Sequence, residues 1–212
     1  MSKNRIQMPT SYSKFKIEDL EALNIKVRQT QFLNEHIEPV EPSDYLTKTI
    51  AKNLRKPMMS EKAKSEYLIS PILSEIQERN IEFTQLYSGY TFDVDKEKGL
   101  KGLCDYIFTF ALDTPIVITS PVFSIVEAKN DNLANGIPQC IAELYAAHIF
   151  NERHGQHLPN LYGATTFGLQ WQFIRYSNGF AEVDSTVYYI NQLPQILGIL
   201  QHIVDTQKKY WI

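Results

Sequence analysis

Ser124-Ile125-Val126-Glu127-Ala128-Lys129-Asn130 is the stretch on which the reading of this chain turns. It follows Val122 and Phe123, so it enters as an apolar, β-branched run of the kind that forms a buried strand. It then sets an acid and a base two residues apart. Side chains at i and i+2 of a strand share a face. Glu127 and Lys129 therefore stand together, while Val126 and Ala128 turn the other way into packing. Burying an acid and an amine on a sheet is costly unless they are paired or hold a metal. Taken alone, Glu-x-Lys on a strand reads as a surface ion pair, so its neighbours have to decide the matter.

Upstream, residues 100–112 read as a strand and 81–94 as its partner, joined through Asp95-Lys96-Glu97-Lys98-Gly99 in an antiparallel hairpin. Within the first of these, Gly102-Leu103-Cys104-Asp105-Tyr106-Ile107-Phe108 places one acid amid apolar residues, where strand propensity disfavours it. Downstream, Asn135-Gly136-Ile137-Pro138 opens a helix, with Asn135 as its cap and Pro138 in the first turn. Ile141, Leu144, Tyr145, His148 and Ile149 recur at helical spacing as one apolar face, and Gly155 ends the run.

Further out, Pro42-Ser43-Asp44 caps a helix with Tyr45, Leu46, Ile50 and Leu54 in register. Ser60 caps a second helix to Arg79, with a kink or break expected at Pro71. Residues 24–33 alternate as a half-exposed strand. Residues 161–167, 169–176 and 180–183 read as strands, with turns at Gly168 and Asn178-Gly179, and 193–208 as a closing helix. Thr114-Pro115 marks a loop. The order predicts an α/β fold, a mixed central β-sheet flanked by helices. No linker divides the chain, so residues 1–212 read as a single domain, with an N-terminal extension over 1–41 preceding the core.

Asp105 and Glu127 come from neighbouring strands, and two carboxylates brought together repel. A divalent cation resolves that repulsion. Mg²⁺ prefers oxygen ligands and is typically held by one or two carboxylates. The carbonyl of Ala128 is a further oxygen donor between Glu127 and Lys129. Lys129 would then orient an attacking water and stabilise charge growing on a phosphate. Glu66 on the preceding helix and Gln139 at the start of the next complete an ordered set: helix Glu, strand Gly-x-x-Asp, strand Glu-x-Lys, helix-start Gln.

That set, Glu66, Gly102-Leu103-Cys104-Asp105, Val126-Glu127-Ala128-Lys129 and Gln139, resembles the PD-(D/E)XK nuclease superfamily. Cys104 stands where a proline often precedes the first acid. The stretch from Leu161-Tyr162-Gly163 to Trp171-Gln172-Phe173 is similar to the strands after the core helix in restriction-type members. More narrowly, the segments around Glu66, Asp105 and Lys129 look like those of a family of small bacterial, largely cyanobacterial, proteins. The resemblance implies a restriction-endonuclease-like core with elements in the order α-β-β-β-α-β. It implies Asp105 and Glu127 as metal ligands, Lys129 as the residue that positions the water, Glu66 as an auxiliary ligand and Gln139 as an orienting group. It implies Mg²⁺, with Mn²⁺ as a substitute, and hydrolysis of phosphodiester bonds, in DNA by expectation. The alternatives are a nuclease-like domain that binds or assembles without turnover, and an α/β protein with no nucleic-acid role.

Composition narrows the remaining choices. Hydrophobic residues make up 43% and charged residues 21%, which suits a globular protein rather than a disordered one. A net charge of −3 gives no uniformly basic surface for nucleic acid, so any such contact has to be local. Lys48, Lys52, Arg55, Lys56, Lys62 and Lys64 form the densest basic region. Cys104 and Cys140 are far apart, and the five histidines, His36, His148, His154, His157 and His202, show no paired metal spacing. No run approaches the roughly 20 apolar residues of a membrane helix, and no apolar leader follows Met1, so a cytoplasmic protein is expected. Cutting both strands of a duplex would suit a symmetric homodimer.

Overall fold

The structure is a computed structural model that describes residues 8–33, 37–114 and 116–211. The first seven residues, His36 and Pro115, on which parts of the sequence reading fall, lie outside the described residues. The chain folds as a mixed α/β structure around an eight-stranded sheet flanked by helices. Its main path runs β1 (Lys26–Thr30), β7 (Phe180–Asp184), β6 (Gln170–Ser177), β5 (Leu161–Thr166), β4 (Val122–Ala128), β3 (Leu103–Phe110), β2 (Thr84–Thr91). A two-residue strand, β8 (Tyr188–Tyr189), pairs with β6. The β1–β7 and β4–β5 pairs are parallel and the others antiparallel.

Local chemistry explains most boundaries. The β2–β3 hairpin closes through Gly99 at φ 72°, and the β6–β7 hairpin through Asn178 at φ 46° and Gly179 at φ 80°. The second pair is the left-handed two-residue turn for which Asn-Gly is suited. Ser43 caps α2 (Asp44–Asn53), its hydroxyl accepting from the Leu46 amide at 3.1 Å. Ser60 does the same for α3 (Glu61–Lys64), accepting from the Ala63 amide at 3.2 Å.

Pro71 neither breaks nor visibly ends the helix there. The chain widens into a π turn over Ser65–Ile69, where the Ser70 amide donates to the Ser65 carbonyl, and continues as α4 (Ser70–Arg79). Proline lacks the N–H that would return to the carbonyl four residues earlier. That carbonyl, of Tyr67, accepts instead from the Asn53 side-chain amide at 2.7 Å. The wider turn and the borrowed donor together let the helix run on.

Two expectations need correction at α5 (Ile137–Arg153). Asn135 does not cap it. Gly136 occupies the cap position, and Asn135 closes a preceding short turn, Leu133–Asn135, whose cap is Asn132. Nor does α5 present a polar outer face: from Pro138 to Ala147 every residue except Tyr145 is buried. The sheet covers one side through β4, β5 and β6. The N-terminal segment covers the other, with Tyr12, Phe15, Leu20 and Leu23 buried over it and α1 (Ile17–Ala22) against it. An all-round apolar helix is what a central position requires. The extension at the N-terminus thus lies in the same core as the sheet. The last helix, α6 (Leu193–Trp211), packs on α4, β4 and β8. No helix among the described residues is long and apolar enough to cross a membrane.

Candidate functional site

The β3–β4 ladder pairs Tyr106 with Val126 and Ile107 with Ile125. Carried one residue outward, that register sets Asp105 opposite Glu127. The ladder opens there, and the free edge is taken by a side chain: Asp105 Oδ2 accepts from the Ala128 amide at 2.8 Å. On the other side of β3, the paired residues skip from Ser88 to Tyr90, leaving Gly89 beside Asp105 at φ 61°. A Cβ at Gly89 would meet nothing within 4 Å, so this glycine leaves open space at the acid. Asp105 thereby lines a cleft of about 360 Å³ together with Glu66, Ser70, Tyr106 and Ala128.

Glu127 is buried, 2% exposed, and Lys129 donates to its Oε1. The pairing expected from the i, i+2 spacing is therefore present. Lys129 also donates to Gln139 Oε1 at 3.1 Å, and Gln139 Nε2 donates to Glu143 Oε1 at 3.0 Å. The start of α5 comes this close because Gly136 carries no side chain. A Cβ there would lie 2.8 Å from Thr165 Oγ1 and 3.1 Å from Lys129 Cγ. Thr165 in turn donates to the Leu133 carbonyl at 2.9 Å and fixes the loop between β4 and α5.

Two buried acids, Glu127 and Glu143, a partly buried one, Asp105, and one amine thus share a site. Burial pushes the Glu127 carboxyl well above the usual range, and the charges of Glu143 and Asp105 push the same way. Burial also raises Asp105, against the Ala128 hydrogen bond and the Lys129 charge. Glu143, 0% exposed, is pushed up to about 8 by its burial. Burial alone would lower Lys129, but the Glu127 carboxylate outweighs it and holds the ammonium charged. Glu127 Oε2 and Glu143 Oε2 are buried with no hydrogen-bond partner. Unpartnered buried oxygens of this kind mark places where a proton, a water or an ion belongs.

Of the residues singled out from sequence, Asp105, Glu127, Lys129 and Gln139 come together, with Ala128 between them. Glu66 is brought to the same cleft but not into the hydrogen-bonded set. Its carboxylate is half-exposed and pairs with Lys62 at 3.0 Å, one helical turn away. Among the described residues, no group of three or more His, Cys, Asp or Glu side chains is disposed to hold a metal ion. Sequence reasoning misses Glu143. Its signal is present in Gln139-Cys140-Ile141-Ala142-Glu143, where an acid falls four residues from Gln139 amid small and apolar residues. No family model matches the chain, and no curated protein matches it.

Proposed function

We propose that this chain is a metal-dependent nuclease of the PD-(D/E)XK type, with a restriction-endonuclease-like core, hydrolysing phosphodiester bonds in DNA. The observation that carries the reading is the convergence of Asp105 and Glu127 at the end of adjacent strands, with Lys129 on Glu127 and Gln139. The element order α4, β2, β3, β4, α5, β5 supports it, being the α-β-β-β-α-β order implied by the resemblance.

The donor set fits Mg²⁺, with Mn²⁺ as a substitute. Asp105, the unpartnered Glu127 Oε2 and the Ala128 carbonyl are hard oxygen donors, and no thiol or imidazole competes among them. Two carboxylates and a carbonyl suit an ion that keeps several of its waters, so a three-carboxylate cage is not required. Glu66, across the cleft, would act through such a water. A bound Mg²⁺ would supply Lewis-acid polarisation of the scissile phosphate. The chain's own residues do the rest. Lys129 would hold a positive charge beside the reacting phosphate and donate to the attacking water. Gln139 accepts from Lys129 and keeps that ammonium aimed.

The test is cleavage of plasmid DNA by the purified chain with Mg²⁺ or Mn²⁺. Lys129→Ala should lower the rate by about 100-fold or more, the scale on which losing one aimed donor acts, and EDTA should stop it. Activity that survives Lys129→Ala, or that ignores EDTA, sinks the assignment. A second reading, a nuclease-like domain that binds without turnover, draws support from Glu66 being engaged by Lys62 rather than by the acid pair. Calorimetry separates the two, since an intact fold that takes up neither Mg²⁺ nor Mn²⁺ favours the second.

A further inference from the structure

Charge is unevenly spread along the chain. Between residues 44 and 64, six cations stand against two acids, in a chain whose net charge is −3. Lys48 and Lys52 follow one another at helical spacing along α2, Arg55 lies in the turn just after it, and all three are exposed. Their side chains form no ion pair or hydrogen bond among the described residues. Like charges four residues apart on a helix, as at Lys48 and Lys52, destabilise it. The fold gains nothing from this stripe, whereas Leu46 and Ile50 on the inner side of α2 are buried.

The stripe is tied to the cleft at its far end. Asn53 donates to the Tyr67 carbonyl, and Lys56 lies over the Tyr67 ring at 3.9 Å from its centroid. The residue before Tyr67 is Glu66, which lines the cleft, and Lys62 lines it too. Lys64 crosses to the loop after β4 and donates to the Asn130 carbonyl, one residue beyond Lys129. Basic side chains therefore stand at both ends of this path, Lys48, Lys52 and Arg55 on α2 and the turn after it and Lys62 and Lys64 near the cleft, with the acids Glu61 and Glu66 among the latter. At helical rise, the seven-residue separation of Lys48 and Arg55 corresponds to about 10 Å. One strand of a duplex carries about three phosphates over that length.

We propose that Lys48, Lys52 and Arg55 form a landing surface for a nucleic-acid backbone, which they lead into the cleft at Asp105. The identity of the polyanion rests on the nuclease reading, while the surface itself rests on charge and position. These contacts are to phosphate, so they set affinity and register and carry no sequence preference.

The experiment is fluorescence anisotropy of a short labelled DNA duplex, in EDTA so that binding is read without cleavage. It compares the native chain with Lys48→Glu/Lys52→Glu/Arg55→Glu, and with the milder Lys48→Gln/Lys52→Gln/Arg55→Gln in case the first fails to fold. Circular dichroism should show unchanged folding. The expected result is weaker binding by about tenfold or more, and a log–log salt slope shallower by about 0.9 for each phosphate no longer neutralised. Equal binding by the folded variants overturns the proposal, as does a native chain that binds no duplex. Leu54 and Met59 are exposed beside the cations, so anionic phospholipid vesicles serve as the rival ligand. Vesicle binding that the variants lose while duplex binding is unchanged also overturns it. Cleavage equal in native and variant chains leaves the nuclease reading standing and removes the landing surface. Binding that depends on the three cations, with no cleavage under Mg²⁺ or Mn²⁺, does the reverse.

Discussion

Two guanidinium groups close on one carboxylate at Glu182. Arg28 Nη2 lies 2.7 Å from Oε1 and Arg175 Nε 2.7 Å from Oε2, and the glutamate is 7% exposed. Burial alone would raise its pKa, but the hydrogen bonds and charges of Arg175 and Arg28 outweigh that and hold it below the usual range. A carboxyl depressed on folding stabilises the native state above its unfolded pKa, about 4.3, and that contribution is lost as the pH falls through the folded value. Glu182→Gln should cost about 1.5–3 kcal/mol at pH 7, and the variant should show a flatter loss of stability between neutral and acid pH. Urea denaturation at several pH values measures both, and parallel curves would show that Glu182 is not the group involved. At the candidate site, strand period is enough to set Glu127 beside Lys129, whereas Asp105 and Gln139 reach them through the pairing of β3 with β4 and the approach of α5, which spacing along the chain does not fix. Glu143 leaves only a weak signal, an acid four residues from Gln139 amid small and apolar residues, because one acid within a helix looks like any solvent-facing charge until the helix is known to be covered all round. Glu66 is expected with the acid pair and is instead held by Lys62, since a pattern of residues does not say which of two neighbours a flexible carboxylate will choose.

The π turn shows how one element answers a local fault. Pro71 removes an N–H, and Asn53 on another helix supplies the missing donor to Tyr67. Asn53→Ala should leave that carbonyl orphaned at a cost of about 1–3 kcal/mol. In a Pro71→Ala background the cost should shrink, because that substitution restores an amide in reach of Tyr67. A double-mutant cycle by thermal or denaturant unfolding tests this, and equal costs in both backgrounds would show that Asn53 and Pro71 are independent. Elements with their own punctuation are legible: Ser43 and Ser60 as caps, Asn178-Gly179 as a hairpin turn, Gly155 as a stop. The widened turn is not, since Pro71 announces a disturbance without saying whether the chain will kink, break or borrow. The cap of α5 is hidden for a related reason. Asn135 has the right chemistry, but the close approach of Lys129 and Thr165 demands a residue without a side chain, and that is a tertiary requirement.

Across the whole molecule, the N-terminal segment behaves as part of the core. Tyr12 is fully buried, and its hydroxyl donates to the Phe92 carbonyl at 2.7 Å while its amide donates to the Lys101 carbonyl at 3.0 Å. Tyr12→Ala should cost about 3–5 kcal/mol, the scale for emptying a buried aromatic site. Tyr12→Phe should cost about 0.5–1.5 kcal/mol by comparison. Denaturant titration distinguishes the two, and a Tyr12→Ala cost below about 1 kcal/mol, far under that scale, would show that the segment is dispensable. The layered α/β architecture is legible from the order of helices and strands. The covering role of the N-terminal segment is not, because its apolar residues are few and irregularly spaced, and only α5 shows what they cover.

The pairing of β1 with β7 has a consequence for how such a chain comes to be folded. Residues 26–30 find their parallel partner at 180–184, so this strand waits for one that lies about 150 residues further along the chain. Until then, the segment that will close over α5 has no finished surface to close on. Pairings of such long sequence separation are slow to form, and an intermediate lacking them would leave its central helix wet on one side. Apolar surface left uncovered in that way is open to association with other chains.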